Sequence, residues 1–242
     1  MHAQGAWSPK EQHMGPVSGL ITDQIERHAP RPDLQLARLS FEILGFIAAE
    51  PTTVEVELIR PGRTIELLEA TATVADRVVV RARAWRLSRH DTSVVAGGEP
   101  ERLPGPDGIP AWSVPERWGG GFIDSLEGRA LPDTRPGRAR AWLHSDCALI
   151  EGVESSPLSR FVALVDTING VSARVRPQEW MFPNVDLTLH FFRTPTDPTW
   201  VGLDGTATFG RDGVGLTSGV LHDVDGPVGR SEQILTVRAL PG

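Results

Sequence analysis

The order of hydrophobic periodicities constrains this chain most: one stretch of helical spacing is followed by four stretches of alternation, and the same order then returns. Val17, Leu20, Ile21 and Ile25 recur at three- and four-residue intervals, which gathers them on one face of a helix. Gly15-Pro16 before them and Pro30 after them mark the ends, predicting a helix over Pro16–His28. The period then changes. Val54, Val56 and Leu58 alternate with Glu55 and Glu57, and Ile65 and Leu67 flank Glu66 in a run that continues to Val74. Together with Leu36–Leu44 and Val78–Leu87 this predicts four half-buried strands, with turns at Pro61-Gly62 and at Asp76.

The second round begins at Leu158, Phe161, Val162 and Val165, again at helical spacing, with Ser156 as N-cap, Pro157 at the first helical position and Gly170 near the end. Strands are expected at Asn184–Phe192, Thr199–Phe209, Gly213–His222 and Val228–Val237, with Asp212-Gly213 and Asp225-Gly226 as hairpin turns. Phe122–Ala130 and Arg138–His144 read as short strands leading into this half. Between the halves, from about His90 to Gly121, Pro and Gly are dense and no period is sustained. Trp112 and Trp118 in that stretch predict that it packs on the surface. The expected organisation is a first repeat over 1–90, a linker over 91–121 and a second repeat over 122–242. The 242 residues are enough for two halves of about 120 residues each. An α+β architecture follows, in which each helix is wrapped by its own curved sheet and the two sheets join edge to edge. Ser40 and Thr188 take equivalent places, each in the first strand after its helix.

Composition excludes several classes. Hydrophobic residues make up 40% and charged residues 23%, the balance of an ordinary globular chain. The net charge of −7 argues against nucleic acid, which selects a clustered excess of Lys and Arg. No apolar run approaches the length of a membrane span, and Met1–Gly15 lacks the apolar core of a secretory signal. With one cysteine, Cys147, no intramolecular disulfide can form, and a reducing cytoplasm is the expected location.

Familiar catalytic signatures are missing. Gly229-Arg230-Ser231-Glu232-Gln233 departs from a nucleophile elbow at its last position, and there is no phosphate loop of the G-x-x-x-x-G-K type. The seven histidines show no metal-ligand spacing, so neither a metal nor a cofactor is expected. Asp166 is the most informative polar residue. It lies about 40° around the helix from Val162, at the edge of the face that must meet the sheet. A carboxylate there costs free energy unless it is hydrogen-bonded or wet; a helix-end charge reaching solvent satisfies the same pattern. Thr188 shares a strand face with Asp186 and His190, whereas Gln233 shares one with Leu235 and Val237. A Gln beside two apolar neighbours that faces the helix needs partners for its amide.

Taken together, Ser156-Pro157-Leu158-Ser159-Arg160, Asp166 to Gly170 (D-T-I-N-G), Asn184 to His190 (N-V-D-L-T-L-H) and Gly229 to Val237 (G-R-S-E-Q-I-L-T-V) resemble the acyl-CoA thioesterase II and thioesterase-like family. His13-Met14-Gly15-Pro16 and the Arg60-Pro61-Gly62-Arg63 turn add to the likeness in the first half. The resemblance implies a double hotdog fold, an acyl-CoA substrate and a water held for attack by an Asp, a Ser or Thr, and a Gln. Residue by residue these fall on Asp166, Thr188 and Gln233. A carboxylate base with an oriented water suffices for a thioester, which fits the missing serine elbow. One active site per chain is expected, because the first half lacks its own Asp and Gln at matching places. Open sheet edges predict a homodimer or higher assembly. Three rivals stay open: an acyl-CoA or lipid-binding hotdog protein without turnover, a hotdog hydratase, and an oligomeric scaffold.

Overall fold

A computed structural model describes residues 2–114, 118–197 and 199–240, so residues 115–117 of the expected linker lie outside the described residues. In the first half, helix α1 (Met14–Arg27) precedes strands β1 (Leu34–Ile43), β2 (Thr52–Arg60), β3 (Ile65–Val74) and β4 (Arg77–Ser88). Strands β5 (Glu127–Ala130) and β6 (Arg138–His144) lead to helices α2 (Pro157–Val165) and α3 (Ile168–Val171) and the short strand β7 (Trp180–Met181). Strands β8 (Asp186–Phe191), β9 (Val201–Phe209), β10 (Val214–Asp223), β11 (Gly226–Thr236) and β12 (Arg238–Ala239) complete the order.

Ten strands form one antiparallel sheet in the order β2-β3-β4-β1-β8-β11-β10-β9-β6-β5, and β7 pairs with β12 beside it. Outward from the centre, β1-β4-β3-β2 is repeated by β8-β11-β10-β9. The halves join where β1 pairs with β8, and there Ser40 stands directly opposite Thr188. The expected equivalence of these residues is thus a local two-fold relation about the junction. This is the pair of helix-and-sheet repeats predicted from the periodicity, in the double hotdog arrangement that the resemblance implied. The positive φ of Ala75 and Asp76 and of Gly213 and Gly226 lets the β3–β4, β9–β10 and β10–β11 hairpins close tightly.

Alternation puts Leu39, Phe41, Leu68, Leu187 and Leu189 on the sheet face that meets Ile21, Ile25 and Phe161 of the helices, and all are buried in one core. The helices also touch each other. A Cβ on Gly15 would lie 2.5 Å from the Ala163 carbonyl oxygen, and one on Gly19 would lie 2.9 Å from that of Ser159. Ser18 Oγ, buried in the same contact, donates to the Gly15 carbonyl at 2.7 Å. Small residues therefore set the α1–α2 spacing.

Three expectations are corrected locally. Helix α1 starts at Met14 rather than Pro16, because His13 supplies the N-cap by accepting from the Gly15 N–H; Pro16 then sits in the first turn, where its missing N–H costs nothing. Phe122–Leu126 is not strand: Ile123–Ser125 form a short 3-10 turn, with Ser125 Oγ donating to the Phe122 carbonyl. The second helix does not run unbroken to Gly170. It tightens after Val165, where Thr167 gives both its N–H (3.3 Å) and its Oγ1 (2.6 Å) to the Leu164 carbonyl, and α3 follows. Glycines let α3 sit down on the sheet. A Cβ on Gly219 would be 2.1 Å from Ile168 Cδ1, and one on Gly205 would be 2.5 Å from Ser172 Oγ.

The segment between the halves is held against the second sheet. Leu103 is buried with Leu131 and Trp142, and Trp142 Nε1 donates to the Pro104 carbonyl at 2.7 Å.

Gly15→Ala should force α1 away from α2 and destabilise the chain by about 1–3 kcal/mol. Urea unfolding checks this against Gly105→Ala, whose added Cβ meets nothing within 4 Å. Equal midpoints for the two variants would contradict a glycine-set helix contact.

Candidate active site

Where α2 ends and α3 begins, Asp166 turns inward and is only 3% exposed. The kink aims the side chain at the inner face of β11, where Gln233 is wholly buried. Gln233 Nε2 donates to Asp166 Oδ1 at 3.0 Å. Asn184, just before β8, donates Nδ2 to the same oxygen at 2.9 Å and also to the Asp186 carbonyl at 3.1 Å. Two side-chain amides thus converge on one carboxylate oxygen.

The other oxygen faces the first half of the chain. His13 Nδ1 lies 3.3 Å from Asp166 Oδ2 while also accepting the Gly15 N–H at 3.0 Å. The Phe122 ring covers the imidazole, with centroids 4.6 Å apart. Trp7 packs edge-on against Trp118 at 4.9 Å and against Phe182 at 5.3 Å, and Trp118 Nε1 donates to the Gly170 carbonyl at 3.2 Å. A crevice of about 30 Å³, bounded by His13, Trp7, Trp118, Ile123, Thr167 and Gly170 among others, has room for about one water molecule. Phe122 also lines a groove of about 240 Å³ with Pro16, Cys147, Leu149, Ala163 and Leu164.

Burial pushes the Asp166 carboxyl above the ordinary carboxylate range, opposed by the neighbouring His13 and by the two amides. Burial also pushes the His13 imidazole below its ordinary value, opposed by Asp166. Desolvation dominates in both, and each is the main charge acting on the other. Gln233 Oε1 is buried with no protein partner, as is Thr217 Oγ1, directly opposite Gln233 on β10. With its amide nitrogen committed to Asp166, Gln233 keeps a free acceptor.

The sequence-predicted residues are therefore brought together only in part. Asp166 and Gln233 meet, but Thr188 does not join them. It pairs with Glu232 on β11, and because successive side chains alternate across a sheet, it lies on the face opposite Gln233. The amide of Asn184, four residues earlier in the same N-V-D-L-T motif, takes the place next to the carboxylate instead. Sequence reasoning missed Asn184 and His13 as site residues, since one precedes its strand and the other precedes its helix, outside any periodic run.

The same register explains why the polar cluster occurs once. Ser40 pairs with Arg83 as Thr188 pairs with Glu232. The first-half counterpart of Gln233 is therefore Ala84, buried in the core without a polar group. Among the described residues, no group of three His, Cys, Asp or Glu side chains converges to hold a metal ion, and no helix is long and apolar enough to cross a membrane.

Because the folded carboxyl titrates above its unfolded value, the fold favours its protonated form. That contribution is present below the ordinary carboxylate pKa and is lost as pH rises through the raised folded value. Asp166→Asn removes the loss, so its stability gain over the wild type should grow between about pH 4 and about pH 8, by about 1.4 kcal/mol for each tenfold rise in proton affinity that burial imposes. Urea unfolding at the two pH values measures this. A gain that does not change with pH would show that the carboxyl is not perturbed by burial.

Comparison with known proteins places this geometry in context. Residues 3–87 match the acyl-CoA thioesterase N-terminal domain and residues 100–237 match the acyl-CoA thioesterase C-terminal domain. No curated protein matches the chain. Among solved structures, a conserved protein of unknown function with a hot dog fold from Alicyclobacillus acidocaldarius superposes with a TM-score of 0.76 at 18% identity, over 99% of this chain and 91% of that one. An acyl-CoA thioesterase II, TesB2, from Mycobacterium marinum gives 0.69 at 17% identity, over 93% and 90%. The tesB protein of Mycobacterium avium subs paratuberculosis gives 0.67 at 17%, over 94% and 86%. At these identities the structural likeness is one of fold, while the two domain matches cover both halves of the chain in order: this chain belongs to the acyl-CoA thioesterase family, in its double-hotdog form.

Proposed function

We propose that the chain hydrolyses an acyl-CoA thioester to the free acid and CoA, with Asp166 as the base that activates the attacking water. The observation that carries this reading is the buried carboxyl of Asp166, with Oδ1 fixed by the amides of Asn184 and Gln233. Two amides on one oxygen hold the carboxyl plane, and positioning of this kind supplies much of a catalytic group's effectiveness. A raised pKa makes the carboxylate a stronger base than a solvated one.

In this reading the water also donates to the free Gln233 Oε1, so that Asp166 and Gln233 orient it together. Water attacks the thioester carbonyl carbon, and its proton passes to Asp166. When the tetrahedral intermediate collapses, the C–S electron pair leaves on sulfur, and the carboxyl returns the proton to the thiolate. No covalent nucleophile is needed. The N-terminal end of α1 stands beside Asp166 through His13, and its helix dipole opposes the charge that develops on the thioester oxygen. Asn184 replaces Thr188 as the third member of the expected trio.

In this reading the chain divides into 1–90, 91–121 and 122–242, with Asp166, Asn184 and Gln233 all from the last part. A homodimer in the cytoplasm is the further expectation, and the exposed row Val185, Ile234 and Leu216 on the outer sheet face offers apolar surface for a second copy to cover. The burial of Asp166 and Gln233 favours one alternative, an acyl-CoA or lipid-binding protein without turnover. For hydrolysis, the aromatic packing of Trp7, Trp118 and Phe122 has to open as the thioester enters.

Thiol release across acyl-CoA chains from short to long tests the reading. Asp166→Asn should lower turnover by roughly 10²- to 10⁴-fold. Asn184→Ala and Gln233→Ala should each cost less, because the base remains, and Thr188→Ala should stay near wild type. Silence across the whole panel, with acyl-CoA still bound, would favour the binding protein. Full activity in folded Asp166→Asn would remove the mechanism.

A further inference from the structure

The least explained contact in the molecule is His13 Nδ1 against Asp166 Oδ2 at 3.3 Å. His13 Nδ1 already accepts the Gly15 N–H at 3.0 Å, so in that arrangement it carries no hydrogen of its own. An unprotonated ring nitrogen would then face an ionised carboxylate oxygen, acceptor against acceptor, with the two side chains 14% and 4% exposed. Such an approach is unfavourable unless a proton lies between the two atoms. The other side of the carboxyl says which oxygen carries it. Asp166 Oδ1 accepts two amide N–H groups and is filled as an acceptor, which leaves Oδ2 as the protonation site.

We propose that Asp166 and His13 hold one proton in common, on the line from Oδ2 to Nδ1, and that His13 is the positioning residue that sets when Asp166 can act as a base. This deepens the proposed thioester hydrolysis and rests on it for its functional meaning. With the proton on the imidazole, the Nδ1 lone pair is taken, the Gly15 N–H loses its acceptor, and the carboxylate is free to take a proton from water. With the proton on the carboxyl, it is not. The first half of the chain therefore contributes to a site whose other polar members come from the second half, and the glycine-set α1–α2 contact fixes the distance between them.

The surroundings support a closed pair. The groups facing it are the neutral amides of Asn184 and Gln233, the Gly15 N–H and the Phe122 ring. The charged group acting on each partner is the other partner. Because His13 holds the Asp166 value down against burial, its removal should leave the carboxyl protonated to higher pH.

His13→Asn is the informative variant, since Asn is a preferred N-cap and keeps α1 started while removing the titratable ring. The acid limb of its kcat/KM profile should move to higher pH, and kcat should fall roughly 10- to 100-fold. A residue acting only as helix cap would leave both unchanged in this variant, and that result overturns the proposal. The second measurement does not depend on turnover. In the 15N NMR spectrum of the histidine rings near neutral pH, His13 Nδ1 should be shifted from the value of a bare ring nitrogen, and the shift should change in Asp166→Asn. A bare Nδ1 that is indifferent to that substitution overturns the shared proton. A wild-type chain that cleaves no thioester yet shows the shifted Nδ1 overturns hydrolysis and leaves the pair standing.

Discussion

A carboxyl group taken out of water at the end of a helix is the constraint around which the second half of this molecule is arranged. Leaving Asp166 without partners would cost several kcal/mol, so the chain brings amides to it from two directions, Gln233 on β11 and Asn184 before β8. That meeting requires the helix to come close to the sheet. Gly205 and Gly219 allow it, because a side chain at either would strike Ile168 or Ser172. The kink between α2 and α3 then turns Asp166 inward instead of along the helix surface.

The two-fold relation at the β1–β8 junction shows why the polar cluster of the second half has no match in the corresponding place of the first. The same register that puts Gln233 on the inner face puts Ala84 in the matching place of the first half, and a polar site becomes plain core. The first half still reaches the polar cluster. Its helix starts at the site, capped by the histidine that touches Asp166, and the spacing of the two helices is set by Gly15 and Gly19. The two unequal repeats are therefore joined at the polar cluster as well as along the sheet.

Much of this is legible in the sequence because it depends on local patterns. Alternation at Val54–Leu58 and Ile65–Val74 marks strands, Ser156-Pro157 marks a helix start, and Asp212-Gly213 marks a hairpin. Asp166 stands out by its angle from Val162, and Gln233 by its apolar neighbours. What the sequence conceals is set by pairing. Thr188 and Gln233 both sit on strands, and only the register of β8 against β11 shows that they face opposite ways. Asn184 lies just outside its strand, where no period applies, although its place in N-V-D-L-T is an available signal. The contact of His13 with Asp166 joins two helix ends far apart in sequence, and only the packing of α1 on α2 creates it.

The central claim is that thioester chemistry takes place on the inner side of the sheet, at the carboxyl held by Asn184 and Gln233. A crystal structure of the chain with a non-hydrolysable thioether analogue of an acyl-CoA tests this most directly. The carbon standing for the thioester carbonyl should lie about 3–3.5 Å from a water hydrogen-bonded to Asp166, with Trp7, Trp118 or Phe122 displaced to admit it. An analogue seated on the outer face beside Thr188, with Asp166 still enclosed, would contradict the account.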